Sequence, residues 1–140
     1  MKNFKYIWLL VILLHFSCSD KQKYANPYLD DVSFSVSINL DLPEYSRLKF
    51  ANNSVLVYNI GIKGVIVFNT GSGFTAFEAS DPNHYPSNCS QMQPNQFTCK
   101  CSCEDNKYSL YDGQHIDGAG DYTLKQYHVS RSGNNLRIYN

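Results

Sequence analysis

From Val32 to Leu40 the chain alternates without a slip: Val32, Phe34, Val36, Ile38 and Leu40 are apolar, and Ser33, Ser35, Ser37 and Asn39 are polar. Successive side chains of a strand point to opposite faces, so this period of two predicts a half-buried strand with a serine face in solvent. Val55 and Val57 begin a second strand. Val65-Ile66-Val67-Phe68 is a continuous apolar run bounded by Gly64 and Asn69-Thr70-Gly71, and Phe74 to Ala79 gives another. Leu124 to Val129 and Leu136 to Tyr139 flank Ser132-Gly133-Asn134-Asn135, a hairpin signal. Helix signals are absent throughout the body. Many short strands joined by Gly and Asn turns predict an all-β fold, a small sandwich or barrel of antiparallel strands.

The start of the chain has a different character. Lys2 and Lys5 precede an apolar run from Tyr6 to Leu14, followed by His15-Phe16-Ser17 and then Cys18, the pattern of an export signal. The run is shorter than the roughly 20 apolar residues of a spanning helix. Ser17-Cys18 resembles a bacterial lipobox, in which the thiol is diacylated and becomes the mature N-terminus; His15 and Phe16 depart from the usual residues there. The plain alternative is ordinary signal cleavage, with Cys18 incidental. The lipobox reading predicts a signal peptide over 1–17, a lipid-anchored tether over 18–29 and a folded domain over 30–140. Its membrane partner is reached through the lipid on Cys18, at the cell envelope, on a periplasmic or outer-membrane face.

Acidic and basic residues balance at 12 each, and loss of Lys2 and Lys5 with the signal makes the remainder slightly negative. No basic patch points to nucleic acid. No Gly-x-Ser-x-Gly elbow or metal-hydrolase helix is present, so hydrolytic catalysis has no support and the chain does not read as an enzyme. Acylation of Cys18 would leave four of the five cysteines, an even number, in a compartment where disulfides persist. Cys99, Cys101 and Cys103 are two apart, so in an extended segment neighbours lie roughly 6 to 7 Å apart on one face, too far to bond without a turn. That makes Cys89 the natural partner of one of the three.

Two motifs carry a family resemblance: Asp81-Pro82-Asn83-His84 with Cys89 behind it, and Cys101-Ser102-Cys103-Glu104 leading to Tyr108. They resemble the two cluster-binding loops of a Rieske domain. The likeness extends through Gly113, Gly118 and Gly120, the segment Tyr122 to Val129, the turn at Gly133 and Leu136-Arg137-Ile138, with Thr123 where the family has proline. It implies a Rieske-like fold with two apical loops, the first delivered by a strand ending in Phe77-Glu78-Ala79-Ser80, the second by a hairpin ending in Cys101. A Rieske centre takes two thiolates on one iron and two imidazoles on the other, from Cys-x-His and Cys-x-x-His pairs. Here Asp81 replaces the first cysteine, Asn83 occupies the first histidine's place with His84 one residue late, Cys101 stands as a ligand, and Glu104 replaces the second histidine. A 2Fe-2S core on Asp81, His84, Cys101 and Glu104 would be negatively charged and oxygen-rich, with lower potential and weaker retention. The resemblance further implies a disulfide between Cys89 and Cys103, the two extra cysteines of high-potential members, although the first loop is longer here.

Two other metals have candidate ligands in the chain. Zinc could draw on Cys99, Cys101, Cys103 and His84, but Cys-x-Cys in a strand does not fold both sulfurs toward one ion as a Cys-x2-Cys knuckle does. Calcium could draw on Asp112, Asp117 and Asp121, whose spacing does not match an EF-hand and suits a solvated loop. His128, between Tyr127 and Val129, is expected to face solvent with Gln126; His115 reads as a loop residue; His84 reads either as a binding residue or as a loop histidine bonded to backbone or to Asp81. The favoured expectation is an envelope lipoprotein whose Rieske-like domain has lost its cluster and serves as a binding or structural module, with no cofactor. The alternative is a 2Fe-2S electron carrier with altered ligands and an unidentified redox partner.

Overall fold

The computed structural model describes residues 26–140; the expected signal peptide, Cys18 and most of the tether lie outside the described residues. Ten strands form two antiparallel sheets: β1 Ser35–Asn39, β2 Ser54–Val57, β3 Val65–Asn69, β4 Phe74–Glu78, β5 Gln93–Asn95, β6 Thr98–Lys100, β7 Lys107–Ser109, β8 His115–Asp117, β9 Gln126–Ser132 and β10 Asn135–Tyr139. The larger sheet runs β1-β10-β9-β4-β3-β2 and the smaller β5-β6-β7-β8. The only helical turn among the described residues is 3-10, Ser46–Lys49, which buries Leu48. The fold is all-β, as the alternation predicts.

Burial follows from the residues of each strand. Val65 and Val67 enter one apolar cluster with Ile38, Leu40, Val57, Leu136 and Ile138, while Ile66 and Phe68 enter a second with Phe77, Met92, Cys99, Cys101 and Tyr108. β3 is covered on both faces, which is why its sequence is continuously apolar where β1 alternates. The β9–β10 hairpin closes through Gly133-Asn134, with Gly133 at φ +59°, a backbone that glycine adopts without cost at the first position of a two-residue turn.

Within the larger sheet, Glu78 is fully buried at the end of β4. Its Oε2 accepts from the Ile62 N–H and the Tyr127 hydroxyl, both at 2.8 Å, and its Oε1 from the N–H of Lys63 at 2.8 Å and of Ser80 at 2.9 Å. Four donors on one carboxylate fix the exit of β4, and with it the start of the first apical loop.

The smaller sheet carries the strands that the sequence pattern reveals least. β5 is Gln-Pro-Asn, and Pro94 can sit there because β5 is an edge strand. β8 turns His115 from an expected loop residue into a strand residue paired with Tyr108. The last residues of the expected tether lie against the loops: Asn26 donates to the Pro82 carbonyl at 2.7 Å, and Tyr28 meets Tyr85 and Tyr122 edge to face.

Candidate functional site

The first apical loop leaves β4 after Glu78 and returns at β5; the second joins β6 to β7. Asp81 opens the first loop with no solvent exposure. Its Oδ1 accepts from the Tyr108 hydroxyl at 2.8 Å and the Asn83 N–H at 2.9 Å, and its Oδ2 from Asn106 Nδ2 at 3.0 Å. Asn83 donates from Nδ2 to the Tyr108 oxygen at 2.7 Å and to the Tyr122 carbonyl at 2.9 Å, while its Oδ1 accepts from the Tyr122 N–H. Asn106 accepts from the Ala119 N–H. Asp81, Asn83, Asn106 and Tyr108 thus form one internal polar lattice that ties both apical loops to the glycine-rich segment before β9.

Beside this lattice stand His84 and Cys101. His84 Nε2 is 3.3 Å from Cys101 Sγ and 3.8 Å from Asp81 Oδ2. His84 Nδ1 lies 2.9 Å from the Tyr85 carbonyl oxygen. A carbonyl only accepts, so Nδ1 carries the proton and, in the neutral ring, Nε2 presents its lone pair to Cys101. Cys101 Sγ also accepts from the Cys103 N–H at 3.4 Å. Burial pushes the Cys101 thiol up, against the backbone N–H groups of Cys103 and Glu104, which favour its thiolate, and together with the nearby Asp81. Tyr108 is pushed up as well, chiefly by burial, with Asp81 adding to it and the Asn83 donor opposing.

Cys89 and Cys103 are joined by a disulfide that ties the two apical loops together. The chain leaves the strand after Lys100, so Cys99, Cys101 and Cys103 do not form the extended row expected from their spacing. Cys99 points into the core, where its thiol contacts Met92 Sδ at 3.7 Å and burial raises its pKa strongly. The zinc set containing Cys99 is therefore not brought together. Glu104 is exposed and stands outside the cluster of His84, Cys101 and Cys103, whose ligand atoms lie within 4.8 Å of one another. Asp112, Asp117 and Asp121 are exposed, and the first two accept from the N–H groups of Gln114 and Gly118 in local turns. His128 is exposed and stacks on Tyr139. Sequence reasoning missed Asn106 and the bracing role of Asn83; an Asn in each loop was the available signal, but a polar loop residue has no periodicity to mark it as buried.

No protein-family model and no curated protein matches the sequence. Solved structures do. A chain from the complex of reduced oxygenase and oxidized ferredoxin in carbazole 1,9a-dioxygenase aligns with a TM-score of 0.52 at 14% identity, covering 79% of this chain and 94% of that one. The Sphingomonas yanoikuyae B1 ferredoxin aligns at 0.49 and 12% identity, covering 67% and 93%. A structure described as an NADH-dependent nitrite reductase small subunit from Mycobacterium tuberculosis aligns at 0.48 and 15%, covering 79% and 97%. At such identities the likeness speaks to fold alone. The all-β architecture, its two apical loops and the first of these alignments give the described residues a Rieske-like fold.

Proposed function

We propose that this protein is an envelope lipoprotein whose Rieske-like domain holds no 2Fe-2S cluster and acts as a disulfide-tied binding or structural module. The observation that carries the reading is the state of Asp81, at the first ligand's place: its carboxylate is already engaged by three donors from the protein itself. A two-iron core needs four ligands, two per iron. The residues here do not fit that demand. Asn83 is committed to Tyr108 and Tyr122, Glu104 is in solvent, Cys103 is in a disulfide, and the remaining donors are one thiol and one imidazole. The fold and the cluster are separable, and the polar lattice supplies internally the cross-links between loops that a cluster would otherwise give.

Purification with an iron-sulfur assembly system present is expected to yield protein with featureless visible absorption and, after mild reduction, no EPR signal. The double substitution Asp81→Cys with Glu104→His should raise iron retention if the loops keep the family geometry. A rhombic Rieske-type signal in the wild type, lost in Cys101→Ser, would overturn the reading. The protein would then be an electron carrier with altered ligands, for which the adjacency of His84 and Cys101 is the supporting observation.

The anchor is tested separately. Acylation at Cys18 predicts that the full-length wild type partitions into detergent while Cys18→Ser does not, because several acyl chains give stable membrane binding and none gives release. Equal release of both forms into the aqueous phase would remove the lipoprotein part of the proposal.

A further inference from the structure

The sulfur and nitrogen atoms at the tips of the two loops have a geometry that the disulfide conceals. His84, Cys101 and Cys103 place their ligand atoms within 4.8 Å of one another, and Cys89 Sγ is bonded to Cys103 Sγ. Tetrahedral zinc with bonds of about 2.0 to 2.3 Å sets its ligand atoms roughly 3.3 to 3.8 Å apart, and His84 Nε2 and Cys101 Sγ already stand 3.3 Å apart. The expected objection to Cys-x-Cys does not apply, because Cys103 lies in a turn and donates its N–H back to Cys101 Sγ. The imidazole is already oriented as a ligand, since its Nδ1–H donates to the Tyr85 carbonyl and its Nε2 faces Cys101. A backbone carbonyl on the second ring nitrogen is a common orienting partner of a ligating histidine.

We propose that Cys89, Cys101, Cys103 and His84 form a redox-gated zinc site, closed while the disulfide is intact and opened by its reduction. The inference rests on the cluster-free reading, since a two-iron core would claim Cys101 and His84. A dithiol reductant opens the site. One of its thiolates attacks the sulfur of Cys89, the more exposed of the two residues, forming a mixed disulfide and releasing Cys103 as thiolate. Its second thiol then displaces Cys89. Two electrons pass from the dithiol, which leaves as its own disulfide, and Cys89 and Cys103 become thiols. Zinc binding expels the protons of the three thiols and takes the Nε2 lone pair. Cys99 has no part in the site.

The test is a titration of the full-length protein in detergent with Co2+, whose thiolate charge-transfer and ligand-field bands report tetrahedral sulfur ligation, followed by displacement with Zn2+. Oxidised protein is expected to bind none, and protein reduced with a dithiol and freed of it under argon to bind one equivalent. Removing even an outer-shell partner costs roughly 10- to 100-fold in affinity, so Cys101→Ser and His84→Gln should each lose at least that much. His84 is at the loop tip, so its variant is informative even if Cys101→Ser folds poorly. Cys99→Ala and Glu104→Gln should bind as the wild type does. Failure of the reduced wild type to bind, equal binding by oxidised protein, or loss of binding in Cys99→Ala alone would each overturn the inference while leaving the cluster-free reading intact. An iron-sulfur spectrum would overturn that reading instead.

Discussion

Asp81 and Tyr108 are the residue pair on which the site's chemistry turns. A buried carboxylate is tolerated when donors satisfy it, and the Tyr108 hydroxyl supplies one of three while itself accepting from Asn83. Tyr108→Phe removes that donor and strands part of the carboxylate, so it is expected to lower stability by about 1–3 kcal/mol, read as a shift in the urea midpoint at unchanged slope. The same residues set a pH dependence. Tyr108, Cys99 and Cys101 all have folded pKa values above their ordinary ones, mainly through burial. For an acid with a raised folded pKa, the unfolded chain loses the proton first as pH rises. Stability is therefore fully present below the unfolded value and falls above it. Stability should be insensitive to these groups at neutral pH and decline from about pH 9 upward, first through the cysteines and then, above about 10, through the tyrosine. The decline should be shallower in Cys99→Ala and in Tyr108→Phe; a urea midpoint that rises between about pH 9 and 11 would contradict the assignment.

At the scale of elements, the glycine-rich segment between β8 and β9 acts as a cover for the polar lattice. Gly118 and Gly120 have φ of +103° and +144°, and a Cβ on either would run into Asn106 and Asn83 respectively. Gly120→Ala is thus expected to destabilise by more than about 1 kcal/mol, combining backbone strain with displacement of Asn83 from Tyr108 and Tyr122. Gly133→Ala has open space around its Cβ and carries only the backbone strain, so the difference between the two variants in denaturant midpoint isolates the clash. β4 leads into the first loop, and Glu78 holds its end. Glu78→Gln puts an amide where four donors converge, and it should loosen the entry to the first loop, seen as faster hydrogen exchange at Ile62 and Lys63.

At the largest scale the described residues form two sheets joined by loops, and the Cys89–Cys103 bond is the covalent tie between the two apical ones. Closing a loop of about 15 residues stabilises by roughly 3 kcal/mol in the chain-entropy model. Ordinary domains are stable by about 5–15 kcal/mol, so the reduced protein should stay folded with a lower midpoint, as a site that opens on reduction requires. Cys89→Ser with Cys103→Ser should reproduce that loss of stability without recovering the metal site. Collapse of the fold on reduction, seen as loss of near-ultraviolet circular dichroism, would contradict this expectation.

The all-β class was legible because strand burial has a period of two: Val32 to Leu40 shows one covered face, and Val65 to Phe68, buried on both, shows none. The β9–β10 hairpin was legible because Gly133 supplies a local turn that needs no tertiary context. The two loop motifs could be placed by their residue types, and the structure sets Asp81 and Asn83 in the first loop and Glu104 in the second. The β5–β6 hairpin before Cys101 was reached only through the family resemblance, and β7 and β8 were not marked, since three-residue strands are too short to show a period and are held by their neighbours in the sheet. Nor could spacing tell that the row of Cys99, Cys101 and Cys103 breaks. The turn after Lys100 is closed by Asp105 at φ +60° and by the Cys101 N–H on the Asn106 carbonyl, a conformation fixed by the packing of Asn106 under Asp81 and Ala119. Residue identity determined which donors the loops own; only the tertiary structure decided which face one another, because hydrogen bonds between residues 27 and 39 positions apart leave no trace in local sequence.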